Sequence, residues 1–479
     1  MLLYTKFSNA VSSFIGFDMD RKRFIKKSAL ILGAVYLVDK ESVFLRTDRS
    51  QRYMMNIKKF DSNFEREPMR IPLGLKGGYL TELWQTAALV ESSKGELGIG
   101  LGTQSVLYGD PDIFEEYSET SGNAMMFVLT NKALAMLAHI NFQNPAEAME
   151  QIMPKLYEEA KLMTDRANLN INFVYNALVS VDNALWMLYA KENAVSTFQK
   201  LFPEALQEVF AYRNDKVAVM YQISYDMSLG DIKRAAEKGY FIFKFKTGAP
   251  GTQEEMLLKD CNRLTEVHNV LKDVRTSQTP NGKVYYTMDA NARYDTKARL
   301  NKYLDHAKKI GAFDQILLYE EPFIESNNED VSDIGLMIAA DESVHTVEDA
   351  VRKIGLGYSA FVLKGIAKTL SLTTQIAKLA HDHNIPCLCA DLTVNPILID
   401  WNKNIAATIA PFPQLGMGMM ETNGDMNYKH WDQMLEKHPN ADATWTQVKN
   451  GVFELGADFY TSAGGIFTTA VHYKELFKV

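Results

Sequence analysis

The sequence predicts an α/β protein built on a (β/α)8 barrel, with a smaller domain ahead of it. Three observations predict this. Apolar, β-prone runs recur between residues 218 and 420, helical stretches alternate with them, and several runs end in charged residues. The runs are near-continuously hydrophobic rather than alternating, as strands covered on both faces tend to be. In order they lie at 218–222, 241–243, 284–287, 315–319, 336–339, 361–363, 386–390 and 414–420. Between them, 254–272, 296–311, 346–355 and 371–384 combine helical spacing with many charges. Such an alternation closes into a barrel whose active site sits at the C-terminal ends of its strands.

Five segments at those ends carry charge: Phe-Lys-Phe-Lys at 243–246, Met-Asp-Ala-Asn at 288–291, Tyr-Glu-Glu-Pro at 319–322, Ala-Asp-Glu-Ser at 340–343 and Val-Leu-Lys at 362–364. They would turn Asp289, Glu320 and Asp341 into one mouth from three consecutive strands. Hard oxygen donors with positions left for water or substrate suit Mg2+. Three crowded carboxylates also raise one another's pKa, which a divalent cation relieves. Lys246 on the second strand and Lys364 on the sixth would face each other across the mouth. A proton beside a carboxylate is very weakly acidic, and its loss gives an enediolate that a Lewis-acid metal stabilises. A lysine near a metal and a second lysine is expected to have a lowered pKa and to act as base. The other lysine could then return a proton to the opposite face. Each piece alone has a bland reading: Lys-x-Lys is usually a solvated face, and Glu-Glu-Pro can simply stop a strand. The ordered set is what carries the chemistry.

The order Lys-x-Lys, Asp-Ala-Asn, Glu-Glu-Pro, Ala-Asp-Glu-Ser and Lys resembles the enolase superfamily, and within it the muconate lactonizing enzyme subgroup. The resemblance covers roughly residues 52–479. It implies a modified, enolase-type barrel at 206–440, with an α+β capping domain made from 52–205 and a C-terminal segment, 441–479, that returns to it. It implies that Asp289, Glu320 and Asp341 bind Mg2+ and that Lys246 and Lys364 form the acid/base pair. Lys244 would be a supporting charge beside the metal or the substrate carboxylate, and Asn291 and Glu342 would stand behind the ligands. The implied activity is a racemase or epimerase acting on a dipeptide of the Ala-Glu type or on an N-acyl amino acid. A lyase or cycloisomerase, of the o-succinylbenzoate synthase or muconate cycloisomerase type, is the alternative. A barrel that only binds a metal or ligand is a third reading. Relatives of this kind take small-molecule substrates and are often homo-oligomers.

Two segments depart from the family pattern. Many relatives read Lys-x-x-Lys and a glycine pair at the sixth strand, where this chain has Lys-Gly-Ile-Ala-Lys-Thr-Leu at 364–370. Dipeptide epimerases usually carry Asp-x-Asp at the eighth strand to hold the substrate ammonium group, where this chain has Glu-Thr-Asn-Gly-Asp at 421–425. Glu421 is the candidate for that role, Asp391 after the seventh strand is another, and Asp425 a weaker one. The stretch 276–282 reads as an inserted surface turn.

Upstream, 83–90 and 96–102 flank Ser-Ser-Lys-Gly, a hairpin signal. The run Gly98-x-Gly100-x-Gly102 lacks the strand-to-helix setting of a nucleotide site. Residues 131–197 are largely helical in pattern, with 180–191 resembling the cap helix that leads into the barrel. The stretch 71–82 would be the mobile loop over the mouth. Asp20-Arg21-Lys22-Arg23 precedes an apolar run at 29–38. This resembles a twin-arginine export signal, with Met19 as a natural start, and implies a periplasmic enzyme; a basic helix on a cytoplasmic enzyme is the alternative. The apolar run is too short for an ordinary membrane span.

The chain's 479 residues, 47% of them hydrophobic, can bury one large domain and a smaller one. A net charge of −8 with no basic stripe argues against nucleic-acid binding. Cys261, Cys387 and Cys389 make neither a zinc spacing nor a disulfide framework.

Overall fold

The computed structural model describes residues 54–75 and 78–479, all within one compact unit. The basic and apolar run at 20–38 lies outside the described residues. Among the described residues, no helix is long and apolar enough to cross a membrane.

An antiparallel sheet comes first. Strands β1 (Met55–Leu75), β2 (Gly78–Ser92) and β3 (Leu97–Gln104) form a meander, and β4 (Asn141–Phe142) pairs with the start of β1. The hairpin expected around Ser-Ser-Lys-Gly is the β2–β3 turn, with Leu89 opposite Ile99. The described residues of the stretch 71–82 are strand rather than loop. They form the far end of the β1–β2 ribbon, where Leu73 pairs with Leu80 and Gly74 with Tyr79. The β-branched and aromatic residues Ile71, Tyr79 and Thr81 favour pairing, so the strands pair as far as Leu75 and Gly78.

Three long helices cover this sheet: Glu119–Leu137, Pro145–Thr164 and Asn172–Glu192. The third is buried along nearly its whole length and lies directly on β3. This contact explains the glycine run: a Cβ on Gly98, Gly100 or Gly102 would run into helix backbone at Ala184 or Ser180. The glycines bring a strand and a helix close together, which is a packing role and not a phosphate-binding one.

The barrel strands are β5 (Lys216–Ile223), β6 (Ile242–Lys246), β7 (Tyr285–Asp289), β8 (Ile316–Glu320), β9 (Met337–Ala340), β10 (Ala360–Leu363), β11 (Cys387–Cys389) and β12 (Gly418–Glu421). All pairings in this series are parallel, and β12 pairs with β5 to close the ring. The last strand begins later than the expected 414–420. Phe412 bridges to Met417 and Gly416 adopts φ +66, so the chain turns there before it can extend. Helices alternate with the strands on the outside, except between β8 and β9, which an irregular stretch joins. Gln253–Leu271 and Val347–Gly355 each start with a capping box, Thr252 with Glu255 and Thr346 with Asp349. The insertion at 276–282 is a turn clamped by the Arg275–Lys283 bridge. Cys387 and Cys389 are buried free thiols within β11.

The chain's final stretch first forms a hairpin, β13 (Val448–Lys449) and β14 (Val452–Glu454), and β14 adds antiparallel to the first half of β5. The last helix, Val471–Phe477, then puts His472 Nε2 2.9 Å from Glu65 on β1 and buries Tyr473.

Candidate active site

The strand register gathers the charged residues at one end of the barrel. Lys246 pairs with Asp289 across β6 and β7, and Asp289 pairs with Glu320 across β7 and β8. Asp341 and Lys364 follow directly on β9 and β10. Lys244 and Lys246 are two residues apart on one strand and so share a face, the inner one, while Phe245 between them packs on Tyr286. Glu-Glu-Pro divides its two carboxylates. Glu320 ends β8 inside the barrel, whereas Glu321, at φ +35, turns aside and accepts from Asp341 N at 2.7 Å and Ser343 Oγ at 3.0 Å. Glu321 thereby holds the loop that presents Asp341. Burial, with Glu342 nearby, pushes its pKa up to about 7.

Each carboxylate expected at a metal is turned to a lysine. Lys244 Nζ, 1% exposed, lies 3.1 Å from Asp289, 2.8 Å from Glu320 and 3.0 Å from Glu421. Burial alone would lower the Lys244 pKa, but those three carboxylates hold it well above the ordinary lysine value. Lys246 Nζ lies 2.6 Å from Asp289 Oδ2 and 3.1 Å from Asn291 Oδ1. Lys364 is hydrogen-bonded to Asp341 and stands 3.8 Å from Glu342. Asn291 Nδ2 donates to Glu342 Oε1 at 2.9 Å, which joins the two lysine centres through one amide. Burial and the Asp289 charge raise the Glu320 pKa, while for Asp341 the lysines 364 and 368 outweigh burial and lower it. The lowered lysine pKa expected from the sequence does not hold for Lys364 in this arrangement. Burial would lower it, but the facing carboxylates of Asp341 and Glu342 raise it well above the ordinary value.

Do these residues suit Mg2+? The donor set is three carboxylates from adjacent strands, the hard chemistry that the ion prefers. Glu320 Oε2 and Asp341 Oδ1 are buried oxygens that accept no hydrogen bond, although Lys244 Nζ approaches the first. Buried carboxylate oxygens in that state are costly unless a cation satisfies them. Among the described residues, no three acidic, histidine or cysteine side chains stand close enough to enclose an ion as placed, and lysine amines sit between the carboxylates. The donor chemistry fits the ion; the lysines hold its place.

Two further residues belong to the site and were not singled out in the sequence. Lys368 Nζ, buried, donates to the carbonyls of Asp341 and Val344 at 2.6 and 2.9 Å, so it pins the loop after β9 from the loop after β10. Its signal is the second lysine of the altered 364–370 segment. Tyr108, in the short helix Val106–Gly109 after β3, lays its ring 5.2 Å from Lys364 Nζ, and its buried hydroxyl has no hydrogen-bond partner. Burial raises the pKa of that hydroxyl strongly. No local pattern marks Tyr108, because only the packing of the cap onto the barrel brings it to the mouth.

The remaining candidates are placed as follows. Asp391, its pKa pushed by burial to about 7, accepts from Leu392 N at 2.7 Å, Val394 N at 3.3 Å and Asn423 N at 2.7 Å. Glu421 faces Lys244. Asp425 lines a separate cavity of about 640 Å3 outside the barrel, with Lys238, Tyr240 and Trp431.

A family model described as enolase C-terminal domain-like matches residues 230–449, the span that holds all five charged strand ends. That stretch of the barrel is therefore similar to the C-terminal domain of enolases. No curated protein matches the chain by sequence. Among solved structures, the fold is shared with a mandelate racemase/muconate lactonizing enzyme from Bordetella bronchiseptica RB50, at TM-score 0.60 and 15% identity, over 84% of this chain and 95% of that one. A substrate-liganded L-Ala-D/L-Glu epimerase from Bacillus subtilis aligns at TM-score 0.56 and 15% identity, over 78% and 92%. A dipeptide epimerase from Enterococcus faecalis V583, complexed with Mg and the dipeptide L-Leu-L-Tyr, aligns at TM-score 0.54 and 13% identity, over 79% and 92%. These likenesses show a common fold.

Proposed function

We propose that this protein is a Mg2+-dependent racemase or epimerase that moves the proton α to a carboxylate or carboxamide, on an amino-acid derivative. One observation carries the reading: Lys246 and Lys364 stand on β6 and β10, four strands apart in a closed ring of eight and therefore on opposite sides of it. Two amines on opposite sides can serve the two faces of one carbon. The dipeptide epimerase and the L-Ala-D/L-Glu epimerase among the structural neighbours support a substrate of this class.

Asp289, Glu320 and Asp341 would hold the metal, which when bound supplies positive charge against the charge that develops on the substrate carboxylate. Lys246 takes the α-proton from one face as its Nζ lone pair forms the N–H bond, and the C–H electrons move into the enediolate. Lys364 delivers a proton to the opposite face of the same carbon, which inverts it. The reverse reaction exchanges the roles. Glu342 and Asn291 couple the two amines, and Lys368 and Glu321 keep the Asp341 loop in place. Proton transfer by a positioned group contributes roughly 10²–10⁴-fold to rate.

The test is incubation with Mg2+ in heavy water over a panel of dipeptides and N-acyl amino acids, followed by mass and chiral analysis. Deuterium at an α-carbon together with inversion supports the reading. A new double bond or ring without inversion would move the assignment to the lyase or cycloisomerase type. Failure of every compound, with Mg2+ bound, overturns it.

A further inference from the structure

We infer that Asp260 is a positioning residue for Lys246. This rests on the proton-transfer reading above and gives one of its two lysines a support that the other does not share. Lys246 depends on such support, because its side chain is 20% exposed against 7% for Lys364, so packing fixes it less. Its amine is placed by the backbone that carries it and by Asn291, whose Oδ1 accepts from Nζ at 3.1 Å. The first belongs to the turn after β6 and the second to the turn after β7.

Asp260 holds both turns at once. It lies in the helix Gln253–Leu271, about two turns from its start, and is 3% exposed. Its Oδ2 accepts from Gly248 N at 2.7 Å and its Oδ1 from Ala249 N at 3.2 Å, just beyond Lys246 in the chain. The Tyr294 hydroxyl, just beyond Asn291, donates to Oδ2 at 2.8 Å. One carboxylate thus ties the turn that carries Lys246 to the turn that carries its partner. Neighbouring contacts tighten the same joint: Arg293 Nη1 donates to Gly248 O at 2.8 Å, and the Tyr225 hydroxyl donates to Thr247 O at 2.7 Å. Gly248 has φ +79, and a Cβ there would come within 2.8 Å of the Arg293 side chain and 3.0 Å of Ala290 O, so the turns meet this closely only with glycine between them.

A buried carboxylate is costly at a helix position where an apolar side chain could pack. The three hydrogen bonds that offset this cost all come from the two turns at Lys246. Lys364 is held by other residues. Lys368 Nζ, from the same turn as Lys364, donates to Asp341 O and Val344 O, and Ser371 N donates to Asp182 of the cap helix. Loss of Asp260 therefore reaches one lysine and spares the other. A carboxylate that only stabilised the barrel would weaken both faces of the reaction alike.

The experiment compares the wild type with Asp260→Asn and Asp260→Ala, the first keeping the side chain's shape and part of its hydrogen bonding in case the second fails to fold. Each Mg2+-loaded full chain is given both enantiomers of a competent substrate in heavy water, and Lys246→Ala identifies the enantiomer whose exchange depends on Lys246. In the Asp260 variants that enantiomer is expected to exchange about tenfold more slowly or worse, and the other at the wild-type rate. The lysine amines are also labelled with acetic anhydride and mapped by mass spectrometry, a readout that needs no substrate. Lys246, released from Asp289 and Asn291, is expected to label faster relative to Lys364 than in the wild type. An unchanged labelling ratio, or equal slowing of both enantiomers, overturns the inference. A raised ratio in a protein whose wild type exchanges no compound supports the placement of Lys246 by Asp260 and removes the racemase reading alone.

Discussion

At the residue scale the centre of the site is Lys244, a buried amine in contact with three carboxylates. Removing one member of a buried ion cluster costs about 3–5 kcal/mol, because the partners are left uncompensated. Lys244→Met is therefore expected to lower the thermal midpoint strongly without added metal, and to regain part of the loss with Mg2+. An unchanged midpoint would mean that the carboxylates do not depend on this lysine. Asp182 provides a second test. It lies fully buried in the cap helix, accepts from Ser371 N at 3.0 Å and has a pKa raised by burial to about 6 from an ordinary 3.8. Between those two values the unfolded chain has released this proton and the folded chain still holds it. Stability thus falls as pH rises through that window, by about 3 kcal/mol in all, and the penalty stays constant above it. Chemical denaturation of the wild type and Asp182→Asn from pH 4 to 7 should show the gap closing toward acid pH. A pH-independent difference would refute the burial effect.

At the element scale the barrel was legible because parallel strands buried on both faces leave short apolar runs, and because each functional strand ends in a charge. The catalytic candidates sit at strand ends, so their sequence neighbours locate them. Tyr108 was not legible, since its position depends on how the cap packs on the barrel. The tight partnership of Glu421 with Lys244 was also hidden, because the two residues are far apart in the chain and meet only when β12 closes on β5. The glycine run on β3 shows the opposite case: the spacing was visible, and only the helix behind it gave the reason. A methyl group at Gly100 would push into Ala184 and Ser180 backbone. Gly100→Ala is expected to destabilise the cap by about 3 kcal/mol, and a denaturant midpoint equal to wild type would show that the strand and helix can separate at little cost.

At the scale of the whole molecule, a cap that contributes Tyr108 and a closed barrel that contributes two opposed lysines form one chemical site. A metal that binds only the folded state raises its stability by about 2.7 kcal/mol at a hundred times its dissociation constant. Mg2+ should raise the melting temperature of the wild type, and Asp289→Asn with Asp341→Asn should abolish the rise; an undiminished shift in that double variant would place the ion elsewhere. The most direct test of the central claim is deuterium exchange by Lys246→Ala and Lys364→Ala, each given both enantiomers of a competent substrate in heavy water with Mg2+. Each variant is expected to exchange the α-proton of one enantiomer, the two variants choosing opposite enantiomers, and neither is expected to invert the carbon. A single-lysine variant that still interconverts the enantiomers would contradict that claim.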